Sequence, residues 1–412
     1  MASIHYRHRA IEQVVTEAAA RFPAVVLTGP RRSGKTTLVK HLFGQGHTYC
    51  SLDDPVVIEQ ARSDPNLVLS RFPPPVILDE VQNAPGLLQA VKARIDQTPA
   101  ARGSFIITGS QPLSVMHGVT ESLAGRAAIL SLLSMSVPER LGSTLTSTGP
   151  NGLLEPRRAS LSRGPDPAAV ARLIRVGGFP EPAFEHGDDP WLWHSSYVQT
   201  FVERDLRQVR AVGDLSSFRR FLLALAARTG GLLNLEDLAR DVGVAARTAR
   251  EWLSVLEATG QVVVLAPYHV NLGKRLVRRP KVYFLDTGVL CYLAGLRKDD
   301  QVLAGMMAGP LFETAVAGEL VRLFTNAGEQ PRLYFWRTAS GHEVDFVVEV
   351  GGRLLPIEAK CSATPNPHMG AGIEHLRSLL GERVARGLLV CLCDHRFPLT
   401  SNVDAVPLWD LA

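Results

Sequence analysis

The sequence has little of what marks a secreted or membrane protein. Its five cysteines are scattered and form no Cys-x-x-Cys pair, so neither a disulfide framework nor a zinc site is indicated. The N-terminal residues are polar and lack the apolar core of a signal peptide. No apolar run approaches the roughly 20 residues that cross a bilayer. We therefore expect a cytoplasmic protein with no membrane partner.

The net charge of the chain is also small. A balance of +4 over 412 residues is too small to indicate a nucleic-acid partner by itself, so such a partner has to be argued from local patches. With 46% hydrophobic and 20% charged residues, the composition is that of an ordinary globular protein. The length allows about two to four domains, each with a core of its own.

The clearest pattern in the chain is a glycine-rich stretch that follows an apolar run at 25–27. It has the form Gly-x-x-x-x-Gly-Lys-Thr and precedes a helix-compatible segment, which is the setting of a phosphate-binding P-loop. Its glycines let backbone N–H groups turn inward around a phosphate, its lysine reaches the β- and γ-phosphates, and its first threonine ligates Mg²⁺. ATP and Mg²⁺ are therefore the expected cofactors. The predicted nucleotide-binding residues are Gly29, Pro30, Arg31, Arg32, Ser33, Gly34, Lys35, Thr36 and Thr37.

Two further apolar runs end in polar side chains. The run at 76–78 leads into Asp79 and Glu80, and buried parallel strands place ligands at this end of a sheet. We expect Asp79 to hold the Mg²⁺ together with Thr36, and Glu80 to act as general base or to orient the attacking water. The run at 104–108 leads to Ser110, which we predict to sense the γ-phosphate and position water, with Thr108 as second choice. A simple turn after a strand is the alternative.

Arg126 has two readings that the sequence leaves equally open. It is either an arginine finger that completes the nucleotide site of a neighbouring subunit, or a solvated or salt-bridged arginine. Arg204 is a second candidate for contact in trans. Hydrolysis in trans requires head-to-tail contacts, and such contacts close into rings. A homo-oligomer, with a ring as one form, is therefore expected.

The runs 52–55, 77–85 and 107–110, with 122–126, resemble a large prokaryotic family of AAA-type ATPases. In that family the C-terminal half is a domain of unknown function, similar in part to the restriction-endonuclease-like fold. Later segments match as well, so the resemblance covers nearly the whole chain. It implies an ASCE-class P-loop core, in which the nucleotide-site positions are those of Lys35, Thr36, Asp79, Glu80 and Ser110.

The middle of the chain contains two candidate DNA contacts. Residues 216–270 read as a winged helix, in which Arg247 and Arg250 project from the start of the recognition helix. A lid or interdomain contact carries equal weight. The run 273–281 then has five cations and no acid, and would make binding salt-dependent. A solvated face is its ordinary alternative. The phosphate contacts predicted from this run are Lys274, Arg275, Arg278 and Arg279.

The C-terminal block carries a second constellation. Asp345, an intervening hairpin, and then Glu358 and Lys360 follow the arrangement of restriction-like nucleases. The two carboxylates would bind Mg²⁺, and Lys360 would orient or deprotonate water from the same face of the strand. Glu319 on the preceding helix matches the accessory acid of that fold. A scaffold retained for binding alone is the other reading.

The expected architecture is α/β, with a P-loop AAA-type ATPase domain followed by a winged-helix region and a C-terminal α/β restriction-nuclease-like domain. Its segments are the ATPase domain at 1–141, a flexible linker at 142–167, a helical connector at 168–215, the winged helix at 216–270, a basic connector at 271–310 and the nuclease-like domain at 311–412. The predicted function is an ATP-hydrolysing oligomeric motor on DNA, with nuclease activity left open. The alternative is a nucleotide-dependent regulatory switch that acts through protein contacts.

Overall fold

A computed structural model describes residues 6–110, 123–142, 149–155, 164–185, 189–201, 214–268, 279–338 and 340–411. The chain divides into two compact units. The first comprises Met1–Met135 with Ala258–Gly260 and Thr325–Glu329, and the second comprises Ser136–Glu257, Gln261–Phe324 and Gln330–Ala412. Among the described helices, none combines the length and apolar character that a bilayer span requires.

The first unit is built on a parallel sheet whose order is β2-β3-β4-β1-β5. Because β4 lies between β1 and β3, the polar residues that follow β4 end up beside both the P-loop and the end of β3. The strands are β1 (Ala24–Thr28), β2 (Thr48–Ser51), β3 (Val76–Asp79), β4 (Phe105–Gly109) and β5 (Ala127–Ser131).

Helices cover both faces of this sheet. The described helices are α1 (Glu12–Arg21), α2 (Lys35–Phe43), α3 (Pro55–Ser63), α4 (Pro65–Arg71) and α5 (Leu87–Gln97). Alternate residues of β1 point to opposite faces: Val26 packs with α3, α4 and α5, whereas Val25 and Leu27 pack with α1 and α2. Strands buried on both faces explain the uninterrupted apolar runs in the sequence.

The second unit contains the remaining helices. The described helices are α6 (Val137–Arg140), α7 (Pro167–Val176), α8 (Pro180–Phe184), α9 (Trp191–Thr200), α10 (Leu215–Ala226), α11 (Leu235–Val242), α12 (Ala246–Ala258), α13 (Thr287–Leu293), α14 (Asp299–Val302), α15 (Ala308–Asn326) and α16 (Ala371–Leu380). The longest of them is α15, in which Phe312, Val316, Leu320 and Phe324 recur every four residues and are fully buried.

Helices α10 and α12 meet in an aromatic cluster of Phe218, Phe221 and Trp252, and α11 packs against α10. Side-chain caps start two of them, since Asp214 and Asn234 accept hydrogen bonds from the first free N–H groups of α10 and α11. Strand β6 (Val262–Leu265) follows and pairs antiparallel with β7 (Lys281–Phe284).

The C-terminal part of the second unit is a mixed sheet in the order β12-β13-β11-β10-β9-β8. Its strands are β8 (Leu333–Arg337), β9 (Glu343–Val350), β10 (Arg353–Ala359), β11 (Gly387–Cys391), β12 (Phe397–Pro398) and β13 (Val403–Pro407). Strands β9 and β10 form an antiparallel hairpin that pairs Phe346 with Ile357. This register makes Asp345 and Glu358 cross-strand neighbours.

Candidate functional site

The P-loop joins β1 to α2 through backbone conformations that favour glycine. Gly34 stands directly before α2 at a φ of 97°, and Gly29 has a φ of 139°. A Cβ on Gly29 would lie 2.1 Å from the carbonyl oxygen of Leu132, so any larger residue there would force the backbone apart. Arg32 also adopts a left-handed conformation, with a φ of 63°. The loop therefore contains three positive φ angles, a backbone conformation that an ordinary turn does not require.

Lys35 and Ser33 provide the test of whether a phosphate fits this loop. The ammonium of Lys35 is buried and donates hydrogen bonds to the carbonyl oxygens of Gly29 (3.0 Å) and Pro30 (2.8 Å). The hydroxyl of Ser33 is fully buried and has no hydrogen-bond partner. A phosphate oxygen beside the start of α2 would satisfy that hydroxyl, so the donor set fits a nucleotide. Thr37 and Arg32 have exposed side chains.

Asp79 is the meeting point of three hydroxyl groups. Both of its carboxylate oxygens lie 3.0 Å from Thr36 Oγ1, and Tyr49 donates a hydrogen bond of 2.6 Å. Thr108 donates a third. Burial, and then the hydrogen bond to Asp79, raise the pKa of Tyr49, which keeps its hydroxyl protonated as a donor. Hydroxyl and carboxylate oxygens are the ligands that Mg²⁺ prefers, so Thr36 and Asp79 suit the ion together.

Glu80 is held by neighbours from its own turn and from β4. Its backbone is left-handed, with a φ of 60°, and its N–H donates to Thr108 Oγ1 (3.2 Å). Its carboxylate accepts hydrogen bonds from Ser110 (3.0 Å) and from the side-chain amide of Gln82. The sequence-predicted residues Thr36, Asp79, Glu80 and Ser110 thus converge at one edge of the sheet.

Three further residues shape this site that sequence reasoning missed. Arg9 is buried, and its guanidinium donates to the carbonyl oxygens of Ser33 (2.8 Å) and Leu133 (2.8 Å), which fixes the P-loop backbone. Tyr49 and Gln82 contact the two carboxylates. Only Gln82, two positions after Glu80, lay close enough in sequence to be suspected.

Arg126 forms an ion pair with Asp96, with 2.7 Å between Nε and Oδ1, and its side chain is partly exposed. Within this chain it therefore adopts the salt-bridged alternative, and a role in trans stays a prediction. Arg204 lies outside the described residues.

The second unit contains a cavity of about 550 Å³ at the end of β9 and β10. Asp345, Glu358 and Lys360 all line it, as the sequence predicts. The ammonium of Lys360 lies 2.6 Å from Glu358 Oε2 and 3.4 Å from Asp345 Oδ2. Asp345 also accepts the backbone N–H of Ala359 at 3.0 Å.

A second lysine, which the sequence analysis did not predict as a site residue, also lines this pocket. Lys281 belongs to the basic run that we expected to be a surface, yet its side chain is buried at the start of β7. Its ammonium lies 2.6 Å from Glu343, 3.0 Å from Glu313 and 3.9 Å from Asp345. Burial lowers the pKa of Lys281, but these carboxylates outweigh burial and raise it overall.

The prediction of Glu319 as the accessory acid is wrong. Its carboxylate pairs with Arg322 (3.1 Å) and accepts the backbone N–H of Val137 (3.1 Å), and it does not line the pocket. The acid that α15 contributes is Glu313. At about 3.6 residues per turn, positions 313 and 319 face different sides of the helix.

The pocket offers oxygen ligands for Mg²⁺, but ammonium groups already lie against them. Burial, and then the charge of Asp345, raise the pKa of Glu358 to about 9, so this carboxyl depends on a nearby cation to ionise. Among the described residues, no group of three or more His, Cys, Asp or Glu side chains is arranged to hold a metal. The geometry is that of an ion-paired cluster, in which a metal would compete with Lys281 and Lys360 for the carboxylates.

The candidate DNA-contacting residues are only partly described. Arg247 is exposed and pairs with Glu251 (2.9 Å), one turn along α12, and Arg250 is exposed on the same helix. Arg279 is exposed just before β7. Lys274, Arg275 and Arg278 lie outside the described residues.

Comparison with known proteins agrees with the geometry of the first unit. Residues 21–141 match the family described as AAA domain, and residues 168–300 and 308–411 match two domains of unknown function, DUF8612 and DUF4143. Uncharacterized proteins of Mycobacterium bovis and Mycobacterium tuberculosis are each 34% identical over 394 residues, which is 95% of this chain and 81% of theirs. This chain belongs to their family. Its N-terminal domain is an AAA-type P-loop ATPase domain.

Two solved structures with P-loop ATPase folds are more distant. The Walker-type ATPase PABY2304 of Pyrococcus abyssi is 14% identical, with a TM-score of 0.43, and the match covers 69% of this chain and 94% of that one. A RuvB variant of Thermotoga maritima is 19% identical, with a TM-score of 0.31, and the match covers 61% and 86%. Neither likeness bears on what this family member binds.

Replacing Lys281 tests whether the cluster in the pocket depends on its ammonium. Lys281→Met leaves the largely buried Glu313 without its ion-pair partner and Glu343 with Arg337 alone, so we expect the free energy of unfolding to fall by about 3 kcal/mol. Urea unfolding of the full chain measures this. Lys298→Met, at an exposed position, is the control and should change the value by less than about 0.5 kcal/mol. If the two substitutions lowered the free energy of unfolding equally, the cluster would not depend on the ammonium of Lys281.

Proposed function

We propose that this protein is an ATP- and Mg²⁺-dependent ATPase that acts on DNA as a homo-oligomer. The observation that carries the ATPase part is the convergence of Thr36, Asp79, Glu80 and Ser110 beside the P-loop. Thr36 and Asp79 form one pair, suited to Mg²⁺, and Glu80 and Ser110 form a second pair, suited to the attacking water.

In this proposal each residue of the site has a defined role. Lys35 and the N–H groups of the loop hold the β- and γ-phosphates, and Ser33 donates to a phosphate oxygen. Thr36 and Asp79 would hold Mg²⁺, which neutralises charge on the phosphates when it is bound. Glu80 takes the proton of the attacking water, and Ser110 keeps the Glu80 carboxylate in place.

The support for DNA lies in the second unit. Helices α10, α11 and α12 with the β6–β7 pair have the order expected of a winged helix, and α12 exposes Arg247 and Arg250 in its first turns. The ion pair of Arg247 with Glu251 is highly exposed, so it is weak and gives way readily to a phosphate. Arg279 adds a further exposed cation.

Removing the lysine of the P-loop tests the ATPase. Lys35→Ala should lower ATP turnover at least about 100-fold, because the γ-phosphate loses its principal cation. Steady-state phosphate release is the measurement, and far-UV circular dichroism checks that the fold is intact. Lys92→Ala on α5 is the control and should turn over ATP like the wild type. Full activity of Lys35→Ala would refute the nucleotide site.

The DNA contact is tested by charge removal on α12. Arg247→Gln with Arg250→Gln should weaken duplex binding and reduce the slope of log affinity against log salt by about 2, since each phosphate contact contributes about 0.9. Arg219→Gln with Arg240→Gln removes the same charge from α10 and α11 and serves as the control. An unchanged slope would show that these two arginines of α12 do not contact DNA phosphates. If ATP turnover stays the same with duplex, forked, junction and single-stranded DNA, the regulatory switch is favoured instead.

Nuclease activity is the second candidate, favoured by the meeting of Asp345, Glu358 and Lys360 in one pocket. If the pocket cuts DNA, Mg²⁺-dependent nicks should appear with the wild type and disappear with Asp345→Asn, while ATP turnover persists. Agarose-gel assay of supercoiled plasmid measures this, and Asp394→Asn is an exposed control. Intact plasmid with the wild type would leave the fold as a binding scaffold.

A further inference from the structure

Buried polar atoms without a partner are few in the described part of the chain, and two of them belong to the nucleotide site. One is the hydroxyl of Ser33 in the P-loop. The other is the amide oxygen of Gln82, two residues after Glu80. An acceptor that is buried and left unsatisfied is destabilising, so a donor that completes it is expected in the working site.

The direction of the Gln82 amide follows from its neighbours. Its nitrogen donates to the carboxylate of Glu80 and to Ser110 Oγ, at 3.0 Å for the latter. An ionised carboxylate can only accept, so the NH₂ group faces Glu80 and the amide oxygen is left for another donor. The left-handed backbone of Glu80 starts the short 3₁₀ turn Val81–Asn83 that brings Gln82 back beside it. In this turn the amide oxygen of Gln82 is left without a donor.

We propose that Gln82 positions the water that attacks the γ-phosphate. This inference rests on the ATPase proposed above and names a residue that holds its nucleophile. The water donates one hydrogen to Glu80 and the other to the amide oxygen of Gln82, which leaves a lone pair directed at phosphorus. As the oxygen–phosphorus bond forms, the bond from phosphorus to the β-phosphate oxygen breaks, and Glu80 takes the proton.

An amide suits this position for a chemical reason. A second carboxylate beside Glu80 would repel it and compete for the same proton, whereas an amide oxygen accepts a hydrogen bond without becoming protonated. Two acceptors fix the orientation of the water, and misplacement of a reacting atom by about 1 Å can cost about 100-fold in rate. Gln82 thereby acts on the water directly and on Glu80 through its NH₂ group.

Gln82→Met tests the inference, because methionine keeps the length of the side chain and removes both polar groups. We expect kcat to fall by about 10- to 100-fold and the KM for ATP to stay within about twofold. Binding supplies a readout besides turnover. ADP with beryllium fluoride mimics the bound phosphate alone, whereas ADP with aluminium fluoride also engages the attacking oxygen. Affinity for the aluminium complex should fall with kcat, and affinity for the beryllium complex should not.

Gln89→Met, exposed on α5, is the matched control and should leave both affinities unchanged. Equal losses for the two complexes, or a lower unfolding midpoint with an unchanged kcat, would make Gln82 a structural contact and overturn the inference. A kcat above that of the wild type would also overturn it, because Gln82 would then be a restraint on Glu80. A wild type that neither binds nor hydrolyses ATP would remove the proposed function itself, whereas normal turnover by Gln82→Met would remove only this inference.

Discussion

The buried carboxylate of Asp79 connects the parts of the ATPase site. It is 3% exposed, and its partners are hydroxyl groups from α2, β2 and β4, namely Thr36, Tyr49 and Thr108. A buried charge is tolerated only where hydrogen bonds replace its water, so the three elements have to meet at this point. The position of β4 between β1 and β3 satisfies that requirement, and the same placement brings Ser110 to Glu80.

Contiguous patterns made the first unit predictable. The P-loop, the Asp79 and Glu80 pair and the apolar strands are each encoded within a few neighbouring residues, where spacing and burial leave few alternatives. The contacts that hold these groups in place are not local. Arg9 reaches a carbonyl at position 133, and Tyr49 reaches Asp79 from another strand, so neither has a signature along the chain.

The second unit shows where charge patterns mislead. Lys281 sits in a run of cations, and such runs are usually solvated, yet the alternation of β7 turns this one side chain into the pocket. Glu319 has the residue type expected of an accessory acid, but the phase of α15 relative to β9 decides which acid faces the site, and it selects Glu313. Which side of α15 faces β9 depends on packing between segments that are distant in the sequence.

The two carboxylate sites differ in what neutralises them, and this difference orders the proposals. Asp79 accepts hydrogen bonds from the neutral hydroxyl groups of Thr36, Tyr49 and Thr108, which leaves the carboxylate available to a cation beside the P-loop. Asp345 and Glu358 instead lie within reach of two lysine ammonium groups, which satisfy their charge internally. A metal would have to compete with Lys281 and Lys360 in the second pocket, whereas at Asp79 it would complete the site. The geometry therefore supports ATP hydrolysis more directly than DNA cleavage.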